Sequence, residues 1–292
     1  MKELLDPNHN VLFITLDCCR FDTYTRANTP TLDKIGKARL AQTVGNFTYP
    51  AHCAFFIGQL PTVRDKSGDD FFTKEGRFLW KVKSASVKRD AGVQFEGYTI
   101  QQGYRKKGYA IRGFGGATFF SHPGEQLRSD YKDGEFVYFG NSTSRQPRSI
   151  KTLPLQNIDK IVDSIKNTKR WFLFINETAT HCPYHLKSTS SKIEKLMNYA
   201  TQFKGGRLDP ECRFNYENGG KELHQLQIDA LEWVDKQLGK LLTRLPNKKP
   251  LLVVITGDHG DSFGENGYWG HVHNAPEVLN VPLIINPNYV HM

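Results

Sequence analysis

The chain has 292 residues, 38% of them hydrophobic, and carries 39 Lys+Arg against 30 Asp+Glu for a formal net charge of +9. That length and apolar content can bury a large core as one big α/β domain or two smaller ones, and no apolar run approaches the length of a membrane span. The positive charge suits an anionic substrate, a nucleic acid or a merely solvated surface, yet no nucleic-acid-binding motif is found among the aromatics. The odd set of Cys18, Cys19, Cys53, Cys182 and Cys212, two of them adjacent, is unlike a secreted disulfide framework.

Taken in chain order, the N-terminal "MKELLDPNHNVLFITLDCC" has an apolar run too short for a signal-peptide core. A soluble, cytoplasmic protein is the expectation. Val11 to Leu16 reads as a buried strand ending at Asp17, and Asn28 to Leu40 as a helix entered through Thr-Pro. Ala41 to Gly45 reads as a short strand, followed by a helix after Thr48. The basic, irregular stretch at about 63–97 is expected to leave the core as an insertion. Regular order returns with a helix closed by Gly108, a strand from Tyr109 and a further strand over Glu135 to Gly140. Leu155 to Thr168 reads as a helix and Trp171 to Asn176 as a buried strand. Leucines at helical spacing mark Lys221 to Leu245 as the longest helix, stopped by Pro246, before the strand "LLVVITG".

Buried strands alternating with helices predict a mainly parallel sheet with helices on both faces, a three-layer α/β/α sandwich in a single domain over 1–292. In such sheets ligands bind beyond the carboxyl ends of the strands. Asp17 follows the first strand, Glu177 and His181 follow "WFLFIN", and Asp258 and His259 follow "LLVVITG". Three strand ends thus deliver carboxylates and imidazoles to one edge.

The stretch "GNFTYPAHCAFFIGQLP" adds a hydroxyl. Pro50 suits the first turn of a helix, which places Thr48 just ahead of it, where backbone N–H groups favour an anion. There a threonine serves as a helix cap or as a nucleophile toward phosphate or sulfate. Asp17, Asp258 and His259 with the Thr48 oxygen form a ligand set suited to Mn²⁺ or Zn²⁺, and admissible for Mg²⁺ or Ca²⁺, whose charge would lower the pKa of the hydroxyl. Cys18, Cys19 and Cys53 lack paired metal-ligand spacing and read as buried small residues. His122 and His224 read as ordinary surface or packing residues, and His185 as structural.

The segments "VLFITLDCCRFDTY", "NFTYPAHCAFFIGQLP", "THCPYH" and "VVITGDHGDSFGENGYWGHVHNAPEVLNVPLII", in that order, resemble the successive signatures of the alkaline phosphatase/sulfatase superfamily. "GYRKKGYAIRGFGG" is similar to its helix–Gly-Tyr–strand segment. The resemblance implies metal ligands at Asp17, Thr48, Asp258 and His259, a nucleophile at Thr48 and a general acid or substrate contact at His181. It also implies a substrate contact at His271 and a supporting or substrate-binding role for Arg20. Asp22 and Asp261 are candidates to hydrogen-bond the site residues from behind.

Three departures qualify it. Sulfatases carry Cys or Ser followed by x-Pro-Ser-Arg for oxidation to formylglycine, whereas this chain has Thr-Tyr-Pro-Ala-His. The threonine form resembles the phosphodiesterase and phosphoglycerol-transferase branches and favours phosphorus chemistry. Cys18 stands where many sulfatases have a second aspartate, and the usual C-terminal part is expected to be shortened. One metal is the favoured count. A second would take Glu177 and His181, four apart, with a late histidine, His271 or His273. The implied function is metal-dependent hydrolysis, or transfer, of small anionic phosphate mono- or diesters. Sulfate ester hydrolysis and a non-catalytic scaffold are the alternatives.

Overall fold

The computed structural model describes residues 9–58, 99–121, 126–140, 149–184, 186, 190–202, 213–246 and 249–290. The expected basic insertion at about 63–97, together with His122 and His185, lies outside the described residues. In chain order the elements are β1 (Asn10–Leu16), α1 (Phe21–Arg26), α2 (Pro30–Ile35), β2 (Arg39–Gln42) and α3 (Thr48–Ile57). These are followed by α4 (Ile100–Lys106), β3 (Ala110–Gly115), β4 (Phe136–Tyr138), α5 (Ile158–Ile165) and β5 (Trp171–Glu177). The chain continues with α6 (Ser191–Gln202), α7 (Gly220–Arg244) and β6 (Leu251–Gly257), then a hairpin of β7 (Ser262–Phe263) and β8 (Trp269–Gly270). It finishes with α8 (Pro276–Leu279) and β9 (Asn280–Tyr289).

Seven strands form one sheet in the order β2-β9-β6-β1-β5-β3-β4. The run from β6 to β4 is parallel, and β9 is antiparallel to both β6 and β2. The period of two along β1 sorts its side chains between two cores. Leu12, Ile14 and Leu16 join the core made with α2, α5 and α7, and Val11 and Phe13 join the core made with α3 and α4. Trp171, Leu173 and Ile175 of β5 face the first core, and Phe172 and Phe174 face the second. The three-layer α/β/α arrangement follows. A smaller core around Trp269, Phe263 and Leu196 seats α6 and the β7–β8 hairpin against α7. Among the described residues, no helix is long and apolar enough to cross a membrane.

Several boundaries differ from expectation. Asn28 to Leu40 holds a helix only over Pro30–Ile35, because Gly36 ends it in an extended conformation and the chain turns into β2. β2 runs Arg39–Gln42 instead of 41–45, because its pairing with β9 sets its limits. The helix expected from Leu155 begins at Ile158, behind a 3₁₀ turn at Pro154–Gln156. The strand expected over Glu135 to Gly140 pairs with β3 only over Phe136–Tyr138.

Candidate active site

The site is assembled by strand register. Leu16 of β1 pairs with Glu177 of β5 on one side and with Gly257 of β6 on the other. The next residues, Asp17 and Asp258, therefore emerge side by side at the carboxyl edge. Hydroxyls clamp both turns: Thr180 Oγ1 donates to the Asp17 carbonyl at 2.7 Å, and Thr43 Oγ1 to the Asp258 carbonyl at 2.6 Å. Asp17, Asp258 and His259 are fully buried, and their ligand atoms lie within 4.8 Å of one another. His259 Nε2 is 3.6 Å from Asp17 Oδ1, 3.7 Å from Asp258 Oδ2 and 3.3 Å from Thr48 Oγ1.

Thr48 is not ahead of α3 but in its first turn, preceded by Phe47, which makes no side-chain cap bond. The cap reading is therefore replaced. The buried Thr48 side chain points toward the strand ends, and Pro50 occupies the first turn as expected. One turn on stands His52, which sequence reasoning passed over. Its Nδ1–H donates to the Thr48 carbonyl at 2.7 Å, and its Nε2 accepts from the Thr15 hydroxyl at 2.8 Å, the tautomer following from the carbonyl partner. Burial among Phe55, Phe56, Phe120 and Phe174 pushes its pKa down to about 3, so it is a neutral strut. The available signal was its i, i+4 spacing from Thr48.

The donor set fits a divalent cation. Asp258 Oδ1 accepts from the Cys18 and His259 backbone N–H groups at 3.1 and 2.9 Å, whereas the buried Oδ2 has no hydrogen-bond partner. Burial pushes the Asp258 carboxyl up to about 8, against the pull of those N–H bonds. A buried carboxylate oxygen left in this way calls for a positive charge. His259 Nδ1–H donates to the Gly260 carbonyl at 3.0 Å, which leaves the Nε2 lone pair facing Asp17, Asp258 and Thr48.

The remaining expected residues divide. His271 joins the cluster, its ring 4.5 Å from that of His259 and 5.8 Å from that of His181, with Nδ1 held by Asp261 Oδ1 at 2.7 Å. His181 bonds the Cys182 carbonyl through Nδ1. The second-metal set of Glu177, His181 and His273 is not brought together. None of the metal-competent groupings among the described residues contains Glu177 or His273. Glu177 turns its two oxygens to the N–H groups of Leu155 and Ala179 at 2.8 and 2.9 Å, and so braces the turns after β5 and before α5. His273 stacks on Tyr268 and bonds the Gly270 carbonyl at 3.1 Å, while burial lowers its pKa.

Arg20 is buried, and it meets protein rather than open space. Its guanidinium binds both oxygens of Asp22 at 2.7 and 2.6 Å, Glu265 at 2.7 Å and the Asp261 carbonyl at 3.2 Å. The expected substrate contact becomes a brace for the loop after β6. From α7, Gln227 Nε2 donates to the carbonyls of Cys18 and Thr180 at 2.8 and 3.0 Å. His224 is buried beside it and bonds Thr23 at 3.0 Å. Neither residue carried a readable signal, since their partners lie some two hundred residues away in sequence or are backbone atoms.

The Sulfatase family model matches residues 9–290. No curated protein sequence matches the chain. Among solved structures, the phosphonate monoester hydrolase of Agrobacterium radiobacter shares 14% identity at a TM-score of 0.60, over 96% of this chain and 68% of its own. A Bacteroides thetaiotaomicron protein described as BT33494S-sulf, from a locus for metabolism of multiple glycosaminoglycans, shares 16% at 0.58, over 96% and 67%. The C-terminal periplasmic domain of EcEptC from Escherichia coli, solved in complex with Zn, shares 10% at 0.57, over 98% and 74%.

Proposed function

This chain belongs to the sulfatase family, and on that premise we propose that it is a metal-dependent hydrolase or transferase of small anionic phosphate mono- or diesters, with Thr48 as its nucleophile and the whole of 1–292 as one catalytic domain. One observation carries the reading. The Thr48 hydroxyl stands in the first turn of α3, 3.3 Å from His259 Nε2 and beside two buried carboxylates. A threonine has no oxidative route to formylglycine, so the hydroxyl itself must attack. A phosphonate monoester hydrolase shares the fold, which admits phosphorus chemistry, and the choice of phosphorus over sulfur rests on the threonine.

Asp17, Thr48, Asp258 and His259 would hold a divalent cation, which supplies the charge that makes the hydroxyl an alkoxide and neutralises the transferring group. The Zn bound to the EcEptC domain supports zinc among the candidate metals. Thr48 Oγ1 forms a bond to phosphorus as the bond from phosphorus to the leaving oxygen breaks. The N-terminus of α3, where Thr48 stands, favours the negative charge that develops on the non-bridging oxygens. His181, protonated, passes its proton to the leaving oxygen. Water or an alcohol then attacks phosphorus, breaks the bond to Oγ1 and restores Thr48.

Paired assays with a nitrophenyl phosphate, a phosphodiester and a nitrophenyl sulfate test this. Thr48→Ala should lose several orders of magnitude in turnover of the phosphorus esters while keeping its fold. An undiminished rate in that variant, or a clear preference of the unmodified protein for sulfate, would overturn the assignment.

A further inference from the structure

Cys18 sits at the first turn beyond β1 with φ of 64°, a left-handed conformation uncommon for a residue with a Cβ. Its buried Sγ lies 3.5 Å from Asp17 Oδ1 and 3.8 Å from His271 Nδ1. Across from it Val272, a β-branched residue, holds φ of 76° next to His271. Backbone this unfavourable on both sides of one small space marks a place where side chains are held for a purpose. Cys18, His259, Asp261 and His271 offer ligand atoms within 4.8 Å of one another, and so do Asp17, Cys18 and His181. Cys18 is common to both groups. A cysteine serving only to fill volume would be expected among apolar neighbours, whereas this one is ringed by two carboxylates and three imidazoles.

We propose that Cys18, Asp261 and His271 hold a second divalent cation, a thiophilic one such as Zn²⁺, beside the position formed by Asp17, Thr48, Asp258 and His259. The proposal rests on the reading of that first position as a metal site, because the second is defined by the ligands the first leaves over. His259 Nε2 already faces Asp17 and Asp258, so it belongs to the first cation. A thiolate, an imidazole and a carboxylate form a mixed set that zinc accepts in tetrahedral geometry and that magnesium or calcium disfavours. Tetrahedral Zn–S and Zn–N bonds put sulfur and nitrogen about 3.5 Å apart, close to the 3.8 Å between Cys18 Sγ and His271 Nδ1. The 2.7 Å contact of His271 Nδ1 with Asp261 is a hydrogen bond, and it opens by roughly half an ångström when a metal replaces its proton. Binding releases the thiol proton as well.

Of the two parts the sequence offered His271, a direct substrate contact or the late-histidine ligand of a second cation, this assignment takes the second with different companions. It also moves the second cation away from Glu177 and His273. The Asp261 to His271 segment, braced by Arg20 through the Asp261 carbonyl and Glu265, becomes the arm that carries two of its three ligands.

The test is metal loading of the full chain after chelation, with Zn²⁺ alone and Co²⁺ alone, read by elemental analysis and by thiolate-to-cobalt charge-transfer absorption. The wild-type protein should take up about two equivalents and show the charge-transfer band. Cys18→Ser and His271→Ala should each retain about one equivalent and lose the band, with circular dichroism unchanged. Asp258→Asn should lose the other equivalent and keep the band. Cys18→Asp, which restores a charged ligand, should bind two equivalents without the band. One equivalent and no band in the wild type, abolished by Asp258→Asn, would overturn the second site and leave the first standing. A band that depends on Asp258 instead of His271 would place the thiolate on the single cation and also refute the proposal. No uptake at all would overturn both readings.

Discussion

Replacing Glu177 by glutamine should change how stability depends on pH, in a direction set by the geometry. Its carboxyl is fully buried at the end of β5, with the N–H groups of Leu155 and Ala179 on its two oxygens. Those bonds favour the ionised form, but desolvation outweighs them, and the pKa rises from 4.5 to about 7. A group raised on folding stabilises fully below its unfolded pKa, and that contribution fades as pH climbs through the folded value. At about 1.4 kcal/mol per unit, the wild-type protein should lose about 3 kcal/mol of unfolding free energy from this group between pH 4.5 and pH 7. Glutamine mimics the protonated acid, with one acceptor and no charge, and should lack that loss. The assay is urea unfolding of both proteins in chelator, because a cation beside Asp17 would remove the smaller repulsive share in the shift. The free-energy difference, variant minus wild type, should grow by about 3 kcal/mol in favour of glutamine across that range. Parallel pH profiles would refute the argument that burial governs this carboxyl.

Gly260→Ala would place a Cβ 2.0 Å from the Glu277 carbonyl oxygen, a backbone atom. It should destabilise by ~1–3 kcal/mol in denaturant titration, with reduced metal uptake because His259 moves with it. Arg20→Met leaves Glu265 mostly buried without its cation, while Asp22 is half exposed and can hydrate. A loss of ~2–3 kcal/mol is expected in thermal unfolding, short of the full cost of a wholly buried pair. Gln227→Leu strips donors from the carbonyls of Cys18 and Thr180 and should cost ~1–3 kcal/mol, whereas Gln225→Leu on the exposed side of α7 should fall within ~0.5 kcal/mol of wild type.

The sheet's centre was legible because β1, β5 and β6 are continuous buried runs that end in charged residues, and parallel topology sends such ends to one edge. Asp17, Asp258 and His259 came together for that reason, and Thr48 reaches them from the first turn of α3. β9 was not legible as a strand because Pro282 and Pro287 interrupt it and neither can donate to a ladder. The structure absorbs Pro287 where the β6–β9 register shifts, between the Leu251–Tyr289 and Val253–Asn286 pairs. Arg20, Glu177 and His273 were placed by motif position in the resemblance, which counts residues but does not say where a side chain turns. Their actual partners, Glu265, the Leu155 N–H and Tyr268, lie on other loops or come from backbone atoms. The same blindness let Thr48 read as a cap, since the choice of Phe47 as the residue ahead of α3 depends on dihedral angles.

Because Leu16 faces Gly257 across a ladder that runs the length of β1, the gap between Asp17 and Asp258 is inherited from backbone hydrogen bonds rather than from the side chains that use it. Sliding β6 by one residue would turn every inward side chain of the strand to the opposite core, so that gap is locked by the whole hydrophobic pattern. Ligand identity is under no such lock. A carboxylate can become a thiol at position 18, or the imidazole at position 271 give way to another side chain, without moving any strand. The scaffold therefore separates two variables that most sites tie together: where the donor atoms stand is shared with the core, and which element they prefer can be retuned one side chain at a time.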